Sequence, residues 1–150
     1  MIYLECYSDK ALVSAFGIPK KEINHVYSKG NICNRLAKGR NCIGLVDEDP
    51  ESSQPSYFRK LHTGSRQSEI ALFYDKESNN RIIALCPRLE EWILKAAKEA
   101  GVNLDKYGLP NKAIPLHEVI NSRVDHFKKL VEDIKTKSQR MKTLAGFLRS

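Results

Sequence analysis

The sequence predicts an α/β domain with a mostly parallel sheet flanked by helices and a long C-terminal helix. Short apolar runs alternate with helical segments at the start of the chain, and a helical period fills its end. The chain has 150 residues, which suits one domain with a buried core. Apolar residues make up 41% and charged residues 29%, so a wholly disordered chain is excluded.

The first third of the chain predicts parallel βαβ units. Apolar runs at 2–5, 23–27 and 42–46 are typical of strands, and the segments between them are helical. We expect one helix over 10–16, capped by Ser8, and another over 30–39. Polar Asn24 and His25 interrupt the second run, which indicates a strand near the edge of the sheet. Strands that alternate with helices favour right-handed crossovers.

The middle of the chain changes character. Residues 51–68 are polar and have no clear period, so we expect a long loop, either a lid or binding loop or a surface excursion. Two apolar runs follow at 69–74 and 81–86, and the turn residues between them predict a hairpin. A helix over 89–100 comes next and ends at Gly101.

From His117 onward the pattern predicts one long helix. Apolar residues recur at alternating four- and three-residue intervals, which is typical of a heptad seam. We therefore divide the chain into a domain at 1–116 and a basic helix at 117–150 that packs on it or extends from it. The seam favours packing on its own domain, a homodimer or protein-partner contact, or a basic arm.

Charge and cysteine content limit the partners and the compartment. The net charge is +7, and residues 135–150 hold five basic residues without an acid. This excess fits either a nucleic acid partner or a solvated basic face.

The cysteines Cys6, Cys33, Cys42 and Cys86 lack metal-ligand spacing, so we expect structural roles. No segment predicts a signal peptide or a membrane span, so we expect a cytoplasmic protein without a membrane partner.

Acidic residues end two of the predicted strands. Glu5 closes the first run, and Asp47 and Asp49 follow the third. The carboxyl ends of parallel strands meet at one edge of a sheet, so these side chains should converge there. Three crowded carboxylates repel one another unless a cation joins them, and oxygen ligands suit Mg²⁺ or Mn²⁺. The sequence therefore predicts a metal site at this edge.

The order of these acids resembles the Toprim domain. Glu5 follows a hydrophobic strand, Asp47-Glu48-Asp49 follows another, and Pro87-Arg88-Leu89-Glu90-Glu91-Trp92 is similar to a helix start in small Toprim-like proteins. The Toprim domain is the catalytic module of type IA and II topoisomerases, bacterial primases and the nucleases of the overcoming-lysogenization-defect group. The chain departs from it in Cys6, where the family usually has glycine, and in Pro50-Glu51-Ser52, near which a glycine is common.

The resemblance implies magnesium-dependent phosphoryl transfer on DNA or RNA, most simply phosphodiester cleavage. Asp47 and Asp49 would hold Mg²⁺ or Mn²⁺, and Glu5 would act as general acid or base or as a further metal ligand. Glu90 is a possible additional acid of the metal site. The alternative is that it only caps the N-terminus of its helix, where the dipole favours an acid. The polar stretch supplies the candidate nucleic-acid contacts: Arg59, Lys60, His62 and Arg66.

Two alternatives remain open from the sequence. A Toprim fold that binds nucleic acid or protein without catalysis is favoured by Cys6 and by the missing glycine, and is opposed by the presence of all three acids. A receiver-like signalling domain would need an acidic pair after the first strand and a lysine after the fifth. Here Cys6 follows Glu5 where a second acid would be needed, and Pro87-Arg88 follows the fifth strand where a lysine would be needed. The chain departs from the receiver pattern at both positions.

Overall fold

The computed structural model describes residues 1–150 and contains one six-stranded sheet. The strands are β1 (Ile2–Leu4), β2 (Ile23–His25), β3 (Ile43–Asp47), β4 (His62–Gln67), β5 (Ile70–Asp75) and β6 (Asn80–Leu85). Their order across the sheet is β2-β1-β3-β6-β5-β4. Strands β2, β1, β3 and β6 run parallel to one another, whereas β5 pairs antiparallel with β6 and β4 pairs antiparallel with β5. The predicted α/β class, the mostly parallel sheet and the edge position of β2 are confirmed.

Six α-helices accompany the sheet. They are α1 (Tyr7–Ala15), α2 (Lys29–Lys38), α3 (Leu89–Glu99), α4 (Ala113–Val119), α5 (Val124–Ile134) and α6 (Gln139–Arg149). Short 3-10 helices occupy Lys20–Glu22, Ser56–Lys60 and Leu104–Tyr107. None of the helices has both the length and the apolar character needed to cross a membrane.

Strand alternation divides the hydrophobic core between the two faces of the sheet. Leu45 and Ile83 point to the larger cluster of 27 buried residues, which the side chains of α1, α3, α5 and α6 complete. Val46 and Ile82 point to the smaller cluster of 11 residues, which α2 covers. Successive side chains of a strand face opposite sides, so both faces of β3 and β6 must be apolar. This explains why these strands read as continuous hydrophobic runs.

The single long helix expected from His117 is wrong, because the segment forms α4, α5 and α6. Ser138, which falls on the predicted seam, begins α6 as its N-cap, and its hydroxyl accepts a hydrogen bond from Met141 N at 3.3 Å. The apolar seam residues Phe127, Val131 and Ile134 are buried in the larger core cluster. Their spacing therefore reflects packing of separate helices on the domain, and the seam is not available for contact with a second copy.

The loop expected at 51–68 is also wrong, because it contains the Ser56–Lys60 helix and strand β4. Strand β4 pairs only with β5, so it is an edge strand whose side chains are mostly exposed. An exposed edge strand needs no apolar alternation, and backbone pairing alone forms it. Tyr57 anchors the 3-10 helix: it is buried, and its hydroxyl donates a hydrogen bond to Asp75 Oδ2 at 2.8 Å.

Candidate active site

The carboxyl ends of β1, β3 and β6 meet at one edge of the sheet. Leu4 lies opposite Leu45, and Asp47 lies opposite Leu85, so the three strands end within a few residues of one another. Glu5 directly follows β1, Asp47 is the last residue of β3, and Asp49 comes two residues later. The structure thus places the three acids that the sequence singles out at the same edge, which we call the carboxyl edge.

Asp47 is the most perturbed of these acids. Its Oδ1 accepts a hydrogen bond from Leu89 N, at the start of α3, at 2.9 Å. Burial raises the pKa of Asp47 to about 8, and the charges of Asp9 and Glu90 add to the rise. The site therefore contains a carboxyl group whose negative charge is poorly compensated, even though a helix N-terminus favours a nearby anion.

Lys29 brings a positive charge to the carboxyl edge. Its ammonium donates hydrogen bonds to the main-chain oxygens of Asp47 at 3.0 Å and Glu48 at 3.1 Å. Burial lowers the pKa of Lys29, and the charges of Glu5 and Asp49 oppose that shift. Burial raises the pKa of Glu5; the Lys29 ammonium lowers it and Asp49 raises it. Lys29 was not predicted as a site residue, because no motif marks it and only the position where α2 begins brings it here.

Asp49 is held by other partners. Its Oδ2 accepts a hydrogen bond from the Ser52 hydroxyl at 2.6 Å, and its Oδ1 accepts one from Arg88 at 3.1 Å. The hydrogen bond from Ser52 is the main cause that holds the pKa of Asp49 below its usual range, and Arg88 contributes. Its backbone has a φ of 45°, a left-handed conformation that is uncommon outside glycine. Asp49 is therefore ionised and oriented by the turn that follows β3.

Asp9 is an acid of the site that no sequence motif marked as a site residue. It is 6% exposed, and its Oδ2 accepts a hydrogen bond from Cys6 N at 3.3 Å. Cys6, and not Ser8, is therefore the N-cap of α1. Burial raises the pKa of Asp9 to about 7; hydrogen bonds from Cys6 lower it and the charge of Glu5 raises it. An acid three residues after an N-cap is a known capping signal, and it could have located Asp9.

Glu90 lies in the first turn of α3 and is 5% exposed. Its Oε1 is 2.5 Å from Nδ1 of His117, which α4 presents. Arg88, which bonds Asp49, also lies 3.7 Å from Glu91. The two glutamates therefore have different partners, and only Glu90 contributes to the raised pKa of Asp47.

The four predicted nucleic-acid contacts are not brought together. Arg66 lies near the carboxyl edge, where it forms an ion pair with Glu48 at 2.6 Å. His62 pairs with Tyr74, and Lys60 lies 3.5 Å from Asp75. Both lie at the ends of the strands that are opposite to the carboxyl edge. Arg59 is exposed in the 3-10 helix. Nothing in this arrangement tests nucleic-acid contact by any of the four, which stays a prediction.

The acids of the carboxyl edge have the right ligand atoms for a metal ion, but their arrangement does not complete a metal site. All three predicted ligands supply carboxylate oxygens, which suit Mg²⁺ and Mn²⁺. The raised pKa values of Glu5 and Asp47 reflect carboxyl groups that a cation would stabilise in their ionised form. However, no group of three or more His, Cys, Asp or Glu side chains converges closely enough to hold a metal ion. Asp49 is engaged with Ser52 and Arg88 instead.

Comparison with known proteins assigns no family. No protein-family model matches the chain, and comparisons with curated proteins and with solved structures give no match. The resemblance to the Toprim domain therefore depends on the order of Glu5, Asp47 and Asp49 along the chain and on the helix start at Pro87–Trp92, and it stays a prediction. The α/β fold and the shared edge are consistent with it.

Proposed function

We propose that this chain catalyses divalent-metal-dependent phosphoryl transfer on nucleic acid, most simply phosphodiester cleavage of the Toprim type. The observation that supports this proposal is the position of Glu5, Asp47 and Asp49 at the ends of neighbouring parallel strands. Ligand sites of open α/β sheets lie at this edge. The oxygen-only ligand set suits Mg²⁺ or Mn²⁺.

Each residue of the site has a role in this proposal. Asp47 and Asp49 would hold the ion, which would neutralise charge on a phosphate and its leaving oxygen. Glu5 would be either a further ligand or, if it does not bind the ion, a proton-transfer group, for which its raised pKa suits it. Arg88 and Lys29 supply positive charge beside the acids, and both can stabilise a phosphate after a small rearrangement. Glu90 stays a possible additional acid near Asp47, and its Oε1 already contacts His117.

The partner and compartment belong to the same proposal. The net charge of +7 supports a polyanionic substrate, and the basic residues Arg59 and Arg66 are exposed enough to contact a phosphate backbone. All four cysteines are free thiols, which is typical of proteins that work in the reducing cytoplasm.

A second candidate function is a non-catalytic module with the same fold. Lys29 favours it, because an ammonium group bonded at the carboxyl edge can compensate the acids without a metal. In that case Asp47 and Glu5 would be structural, and the chain would bind nucleic acid or a protein without cleaving a bond. Replacement of Lys29 by methionine separates the two candidates. A catalytic site would bind Mn²⁺ more tightly after removal of the competing charge, whereas a structural cluster would lose stability.

The proposal is tested by a cleavage assay on labelled single- and double-stranded DNA and RNA with Mg²⁺ or Mn²⁺. The wild type should cleave at least one substrate, and the chelator EDTA should abolish the activity. Asp47→Asn and Glu5→Gln should each reduce the rate by at least about a hundredfold. Glu51→Gln is the matched control, because Glu51 is an exposed acid in the turn after β3 and should leave the rate unchanged. Activity that survives EDTA or both substitutions would refute the assignment of this site.

A further inference from the structure

Three aromatic rings stand together beside Glu5. Tyr7 opens α1, His25 ends β2, and Tyr27 follows two residues later. The ring centroids of Tyr7 and His25 are 4.5 Å apart in an edge-to-face contact at 75°, and those of His25 and Tyr27 are 4.1 Å apart at a tilt of 32°. We call these three residues the aromatic stack. His25 also contacts the site directly, because its Nε2 lies 2.7 Å from the main-chain oxygen of Glu5.

The aromatic stack is open to solvent at its two ends. The exposed fraction is 53% for Tyr7 and 70% for Tyr27, so these are two of the few large apolar side chains on the surface. Tyr27 has a φ of 73°, the left-handed region that non-glycine residues seldom occupy. A contiguous exposed apolar patch is a feature of binding surfaces.

Positive charge lies beside the aromatic stack. Lys10 follows Tyr7 by three residues on α1, so the two side chains share one face of the helix. Lys10 forms no ion pair, although it is close in sequence to Asp9. Lys29 follows Tyr27 by two residues and already reaches the carboxyl edge. Aromatic rings with flanking lysines suit a ligand that combines flat rings with phosphates.

We propose that the aromatic stack binds an unpaired base of a single-stranded nucleic acid, with Lys10 on the adjoining phosphate. This inference rests on the proposed function and specifies its substrate as a single strand or a strand end. The base faces of a duplex are covered by their neighbours, whereas an unpaired base can stack on a tyrosine ring. The contact of His25 with Glu5 would place that base next to the carboxyl edge.

The test is equilibrium binding of a short fluorescein-labelled oligothymidylate, followed by anisotropy at low salt in EDTA. The wild type should bind the single strand more tightly than a duplex of the same length. Tyr27→Ala and Tyr7→Ala should each weaken single-strand binding by about tenfold. Tyr27→Phe keeps the ring and should bind as the wild type does. Tyr74→Ala is the matched control, because Tyr74 is an exposed tyrosine that pairs with Arg81 at the opposite edge of the sheet.

Each outcome decides the inference. Equal affinity for single strand and duplex, no single-strand binding by the wild type, or wild-type binding by both alanine variants would overturn it. EDTA prevents metal-dependent cleavage, so the proposed function is judged separately. A chain that shows the expected binding but never cleaves nucleic acid refutes the function alone. A chain that cleaves while the stack variants bind normally refutes this inference alone.

Discussion

Replacement of Asp47 by asparagine should stabilise the protein without added metal. Asparagine has the same shape, and its Oδ1 can still accept the hydrogen bond that Leu89 N donates at 2.9 Å. The substitution removes the negative charge that burial and the neighbouring Asp9 and Glu90 disfavour. Acids that serve a site are often kept at a cost in stability, so this change distinguishes a functional acid from a structural one.

The size of the effect follows from the pKa. A rise from 3.8 to about 8 means that the folded state holds the Asp47 proton more tightly than the unfolded state does. At about 1.4 kcal/mol for each pH unit, the full shift corresponds to nearly 6 kcal/mol. The Asp47 carboxyl keeps some contact with solvent, which screens its charge and reduces this figure, so we expect about 2 kcal/mol. The wild type should lose this stability gradually between about pH 4 and pH 8, and Asp47→Asn should not.

The assay is urea unfolding of both proteins in EDTA, followed by circular dichroism from about pH 5 to pH 9. The advantage of Asp47→Asn in unfolding free energy should grow with pH and level off above about pH 8. Saturating Mn²⁺ should then stabilise the wild type more than the variant. A variant that is less stable at every pH, or a difference independent of pH, would refute the reasoning.

Three further substitutions test the packing that supports the site. Asn80→Ala removes a buried amide that bonds Leu36 O at 2.7 Å and Cys42 N at 2.9 Å, so thermal denaturation should show a decrease of about 5–10 °C in Tm; an unchanged Tm would contradict this. Gly44→Ala places a Cβ 2.7 Å from Ile32 Cγ2, and urea unfolding should show a loss of about 1–3 kcal/mol; an unchanged free energy of unfolding would contradict this. Arg140→Met breaks the ion pairs of α6 with two glutamates, and its loss of about 1 kcal/mol should shrink in high salt.

The sheet was predictable because its central strands are buried on both faces. Strands β3 and β6 carry unbroken apolar runs, and those runs identify them without knowledge of their neighbours. Strand β4 carries no such signal, because its side chains are exposed and its pairing with β5 uses the backbone. The break between α5 and α6 was hidden for a similar reason: apolar spacing continues through Ser138, and only the cap reveals the new helix.

The candidate site was predictable where an acid directly follows a strand. Glu5, Asp47 and Asp49 have that position, and parallel pairing brings them to one edge. Lys29 and Asp9 lie in the first turns of helices, where lysine and aspartate have ordinary structural explanations. Their part in the site depends on where α1 and α2 begin against the sheet. A single sequence does not specify that tertiary placement.

Metal binding tests the central claim most directly. Calorimetric titration of Mn²⁺ into the wild type and into the Asp47→Asn, Asp49→Asn double variant compares a complete set of acids with one that lacks two of its carboxylates. The account predicts saturable binding by the wild type and none by the double variant, with Glu51→Gln retaining the wild-type affinity. Equal binding by wild type and double variant, or none by the wild type even with an oligonucleotide present, would contradict a metal site at the carboxyl edge.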